Sequence, residues 1–321
     1  MVPREQTQAL VEGAFFASLT AVFSLISMYV PVIYFFAVLA SPMPTAVLVK
    51  RYNLKIALLS LVSALLITVL FFGNPLAALL VTLEAGALGL ITGLLMKKNI
   101  PAGFSIVIAS IGSFLLTFLS FLITFAITGN NPFNIGNEVR QMVADIYEMY
   151  RNNGLLSGMS QKELTELKEA VVNTITLFLP GSLAIGAMVS GSINYLLTRE
   201  LFKRLKYEVV NIKPFSHLQF PWYTIWSVIL GIVLLLTGDN LHIVVLSKVS
   251  KNILFICFFP FSILGFSIMV FYMNKFKFSK AARIIILFIF IINGSLTMTL
   301  LLSVGILDPY FNFRKLDVTK Q

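Results

Sequence analysis

The chain has 321 residues, of which 58% are hydrophobic and 12% charged, with a mean hydropathy of +0.90 and a formal net charge of +10. Soluble domains carry about 25% charged residues, so this composition excludes a water-soluble globular protein and describes a polytopic membrane protein. In a soluble chain the basic excess would suggest nucleic acid; here the basic residues sit between apolar segments, and no nucleic-acid partner is expected.

A transmembrane helix needs about 20 mostly apolar residues. Nine segments qualify, roughly 11–30, 32–49, 54–73, 75–96, 102–128, 171–197, 220–238, 252–273 and 282–305. Lipid leaves unpaired backbone groups without partners, which disfavours long irregular strands. The expected fold class is therefore all-α, a helical bundle with eight or nine transmembrane helices. The first segment carries Gly13, Ala17 and Ala21 at intervals of four, just over one helical turn, so they stack into a bare groove. The second holds Pro42 and Pro44, and the fifth is long enough to tilt or to bend near Gly112. In the fourth, Ala85, Gly89 and Gly93 form another small-residue stripe, and the sixth repeats the device with Ser182, Gly186, Ser190 and Asn194. For these two helices the expected use is packing inside the chain.

The connection 129–170 is acidic and is expected outside the cell. Within it, Val139, Met142, Val143, Ile146, Tyr147 and Tyr150 share one face of an amphipathic helix, suited to a membrane interface or to a lid. Ser160 and Glu163 then make an S-x-x-E capping box that opens the sixth helix, and Pro180 should kink it. The linker 207–221, bracketed by Pro214 and Pro221, divides a core at 1–206 from further membrane helices at 207–321. Clusters such as Lys50, Arg51 and Lys55, then Lys97 and Lys98, place those turns and the N-terminus in the cytoplasm under the positive-inside rule. The expected location is the cell membrane, multi-pass. Counting nine crossings leaves Lys248, Lys251, Arg314 and Lys315 outside, so either these are exceptions or one C-terminal segment does not fully span.

Glu84 stands near the middle of LLVTLEAGALGL, and a charge at that depth costs about 2.5 kcal/mol or more. It should face the bundle interior with a partner or a proton, as a ligand group or as a hydrogen-bonded structural residue. Asn74, Asn130 and Asn131 sit near predicted external ends, where a soluble ligand is first met, although such residues often only shape turns. Asn293, in the last segment, is explained by an interhelical hydrogen bond. No catalytic residue, metal site or cofactor is expected. Cys257 is a lone cysteine, Glu84 has no acidic companion at membrane depth, and there is no H-E-x-x-H, G-x-S-x-G or G-x-x-x-x-G-K-[ST] motif.

The A-x-x-x-A of the first helix (Ala17, Ala21), the proline-bearing SPMPTAVLVKRYNLK (41–55) and the small-residue-rich fourth helix ending in Lys97 and Lys98 resemble the S components of energy-coupling-factor transporters. The whole chain more closely resembles the YybS-like membrane proteins of Firmicutes, through LVEGAFFASLTAVFSLISMYVP (10–31), segment 41–55 and GILDPYFNFRK (305–315) with Asp308, Phe311, Phe313 and Arg314. The S-component resemblance implies a six-helix core that binds a small-molecule solute entering from outside. It also implies that the Gly13, Ala17 and Ala21 edge faces a membrane-embedded coupling protein with associated ATPases. The leading expectation is thus a non-enzymatic solute-binding subunit of a multi-subunit transporter in the lipid bilayer. The alternative is a membrane scaffold of the cell envelope.

Overall fold

The computed structural model describes residues 4–129, 136–154 and 158–316. Among them every regular element is helical: α1 (Arg4–Tyr29), α2 (Tyr34–Ala40), α3 (Met43–Arg51), α4 (Leu54–Phe71), α5 (Pro75–Lys97), α6 (Ala102–Thr128), α7 (Gly136–Asn152), α8 (Gln161–Arg204), α9 (Ile225–Asn240), α10 (Val244–Lys275), α11 (Lys280–Ile292) and α12 (Gly294–Phe311). Nine spans among the described residues are long and apolar enough to cross a membrane. This is an all-α polytopic membrane bundle.

Two compact units divide the chain, one built from 4–129 with 186–212, the other from 136–154, 158–185 and 213–316. The sequence suggests a single division at 206/207; the structure divides the chain more than once, with its last boundary at 212/213 inside the same linker. The N-terminal part of α8 joins the second unit. There α7 buries Val139 and Val143 against Val172, a contact that hydropathy along the chain does not reveal.

In the first unit, α1 lays Ala17 and Ala21, each 1% exposed, against Ala64 of α4. A Cβ on Gly13 would stand 3.3 Å from Cγ2 of Ile56, also on α4. This corrects the expectation of a partner-facing edge, because α4 of the same chain fills it. Spacing shows that a close approach occurs and does not say whose helix approaches.

The second span is broken at Ser41–Pro42, and α3 becomes the centre of the unit, with Thr45 to Val49 all at most 3% exposed. Pro42 caps α3 and Pro44 lies in its first turn, where a missing N–H costs nothing. Gly89 and Gly93 of α5 let α3 approach: a Cβ on Gly89 would overlap the Pro42 carbonyl, and one on Gly93 would lie 2.8 Å from that of Ala46. Ala85 of the same stripe is buried. The two helices then cap each other. Lys50 of α3 donates to the Met96 carbonyl at 3.0 Å, and Lys97 of α5 donates to those of Val49 and Tyr52. Cations at helix C-termini satisfy orphan carbonyls, so these lysines hold α3 and α5 together.

The α8 stripe requires a correction. Ser182 and Gly186 are exposed, Ser190 is half-buried, and a Cβ on Gly186 would meet nothing within 4 Å. The close approach to α6 is made by Gly191, whose Cβ would overlap the Ala109 carbonyl. Four-residue steps drift about 40° per step around a 3.6-residue helix, so a long run at that spacing cannot stay on one contact face. Asn194 is fully buried and donates to the Leu39 carbonyl at 3.1 Å.

In the second unit, α10 is the hub. Gly265 of α10 and Gly305 of α12 bring two backbones together, since a Cβ on either would overlap a carbonyl of the other helix, Leu301 or Phe261. Asn252 of α10 repairs α8 at Pro180. Its Oδ1 accepts from Gly181 N at 2.8 Å, and its Nδ2 donates to the Leu177 carbonyl at 2.9 Å. The side-chain amide thus bridges two backbone groups one turn apart, as a proline in lipid requires. The stretch 282–305, expected as one span, is split at Asn293, which donates to Ile289 O of its own helix rather than to another. The 13-residue α11 is about 20 Å long, short of the roughly 30 Å hydrocarbon core, and α12 supplies the span.

The segment that follows α12 is locked by Arg314, whose side chain is fully buried. It pairs with Asp308 at 2.7 Å and donates to the Ser216 and Leu218 carbonyls and to Ser267 Oγ. Arg314→Met, which strands the Asp308 carboxylate, should destabilise the purified chain by about 3–5 kcal/mol, and the double Arg314→Met/Asp308→Leu by less; melting in mild detergent reads both. Ala21→Leu forces a large side chain against α4 and should cost about 1–3 kcal/mol in the same assay, with no partner protein present.

Candidate functional site

Glu84 lies in the middle of α5, ten residues from Asn74, which is about 15 Å along the helix axis. Asn74 is exposed and caps α5, its side chain accepting from Ala77 N at 3.1 Å. A turn-forming role accounts for it, and it does not meet Glu84. Asn130 and Asn131 lie outside the described residues.

Glu84 points at α6. Thr117 Oγ1 donates a short hydrogen bond to its Oε1, and the Ser120 hydroxyl reaches the same carboxyl. Near this contact Gly112 of α6 faces Ile91 of α5, and a Cβ there would lie 2.9 Å from Ile91 Cδ1. Gly112 lies at this crossing, and α6 runs as one helix of 27 residues. Thr117 and Ser120 escape attention in the sequence, yet a signal exists. Ser113, Thr117, Ser120 and Thr124 recur at steps of four, three and four, a hydroxyl stripe along one face of α6. Read beside an acidic residue in the neighbouring helix, such a stripe supplies its donors.

The chemistry available is narrow. A half-buried carboxyl held by two hydroxyls can bind a cationic group or exchange a proton, and the hydroxyls can turn to follow its state. A reaction needing both acid and base finds no second carboxyl in this cluster. Elsewhere in the same unit the polar side chains tie helices together, as in Thr82 to Thr68 at 2.9 Å, Ser24 to Ser41 at 3.0 Å and Ser110 to Ser192 at 2.8 Å. Glu84 differs from these in carrying an ionisable group.

A family described as a predicted membrane protein (DUF2232) matches residues 18–309, a stretch that takes in Glu84, Thr117, Ser120 and Asp308. The chain belongs to this family. A Bacillus subtilis (strain 168) protein described as uncharacterized protein YybS is 26% identical over 314 residues, covering 97% of this chain and 98% of the relative. No solved structure matches the chain. The likeness to energy-coupling-factor S components rests on the sequence features alone.

If Thr117 holds Glu84, the two are coupled. Thr117→Val should destabilise the wild-type chain by about 0.6–1.7 kcal/mol, and a Glu84→Met background, which has no oxygen to accept the bond, by clearly less. Detergent melting of both single variants and the double measures the coupling.

Proposed function

We propose that this integral membrane protein is a non-enzymatic solute-binding subunit, and that Glu84 is the group that meets the solute's cationic end or a coupled proton. The observation that carries this reading is a carboxyl at mid-span whose partners are hydroxyls and not a fixed cation. A structural acid would be cheaper as an amide or a serine, because an ionisable group at that depth is costly unless it is used. The S-component resemblance supports the same class of activity. It does not extend to the docking mode: a coupling partner would need a surface other than the Gly13, Ala17 and Ala21 edge, which α4 fills. Energy for transport would come from that partner.

The chain purified in mild detergent should carry a stoichiometric small molecule, identified by mass spectrometry of the released fraction. Glu84→Gln should melt as a folded protein yet lose that molecule, or bind it with no dependence on pH. Unchanged retention with an unchanged pH profile would remove Glu84 from the site.

A further inference from the structure

The second unit contains two neighbouring hollows of opposite character. The larger, about 830 Å³, has polar groups from Asn173 and Thr176 of α8, Asp239 of α9, His242, and Lys248 and Lys251 near the start of α10. The smaller, about 370 Å³, is walled by Phe178, Phe255, Phe258, Phe261, Leu302 and Ile306. Lys251 lines both. It is half-buried, and among the described residues neither it nor Lys248 has a carboxylate within ion-pair reach.

Two ammonium groups three residues apart on one helix repel, and here both line one hollow with no anion beside either among the described residues. Asp239 offsets one charge at most, which leaves the larger hollow electropositive. The 32 residues of α10 span about 48 Å against a hydrocarbon core of about 30 Å, so its first turns can reach the headgroup zone. An inorganic anion would satisfy the lysines and leave the aromatic hollow unexplained. An apolar chain would fill that hollow and leave the lysines unpaired. One molecule with both parts satisfies both.

We propose that these hollows form a site for a single anionic phospholipid, its phosphate head with no cation of its own held by Lys248 and Lys251 and its chain laid along the aromatic wall of the smaller hollow. The site is separate from Glu84 and does not depend on the solute-binding reading.

The test uses the full chain in nanodiscs of equal parts phosphatidylcholine and phosphatidylglycerol, with lipid retained after transfer to mild detergent counted by native mass spectrometry. Wild type should retain phosphatidylglycerol over phosphatidylcholine by roughly ten- to thirty-fold, the preference that two lysines near a membrane surface can give. Lys248→Gln/Lys251→Gln should bring the ratio near one, and Lys251→Arg should keep it. Cys257→Phe, which narrows the smaller hollow where Cys257 lines it, should lower retention with both lysines in place. Glu84→Gln should leave retention unchanged. Wild-type retention in the double lysine variant, indifference to Cys257→Phe, or displacement of the lipid by millimolar inorganic phosphate would each overturn the proposal. Should the double variant fail to fold, Lys251→Arg and Cys257→Phe still decide it.

Discussion

A helix surrounded by lipid gains nothing by hiding its apolar face, because acyl chains are as apolar as leucine. What remains to hold this protein together is close backbone approach, and the residues that permit it recur wherever its helices cross. Ala17 and Ala21 admit α4, Gly89 and Gly93 admit α3, Gly191 admits α6, and Gly265 with Gly305 joins α10 to α12. At most of these crossings a single added methyl group would overlap a carbonyl. The packing is therefore set by backbones, and side-chain polarity is added where backbones alone leave something unpaired.

At several helix ends and breaks the unpaired backbone groups are answered by a side chain from another element, although the break at Asn293 is answered within its own helix. The C-termini of α3 and α5 are closed by each other's lysines. The α8 turn at Pro180 is bridged by Asn252 of α10. The carbonyls of Ser216 and Leu218 are taken up by the buried Arg314. Glu84 with Thr117 and Ser120 uses the same vocabulary of polar side chains between two helices, and differs from ties such as Thr82 to Thr68 in carrying an ionisable group.

The two units also differ in what they offer a ligand. The first presents an ionisable group between α5 and α6, suited to a small cationic solute or a proton. The second presents lysines beside an aromatic hollow, suited to an amphiphile. The family match, residues 18–309, takes in residues of both units.

Much of the architecture was legible because hydropathy and capping are local. Apolar runs placed the spans, and Ser160 with Glu163 announced the start of α8, where Glu163 Oε2 accepts from Ser160 N at 2.7 Å. The candidate acid was legible too, since a lone Glu84 in an apolar run stands out in any reading. Its donors were not, because Thr117 and Ser120 belong to another helix and ordinary hydroxyls attract no notice. Nor did spacing tell the use of Gly13, Ala17 and Ala21, or that α8 would pack through Gly191 rather than Gly186. Small-residue periodicity reports that a helix can be approached closely; which helix arrives, and on which face, depends on distances between segments far apart in the chain, and only the folded bundle sets those.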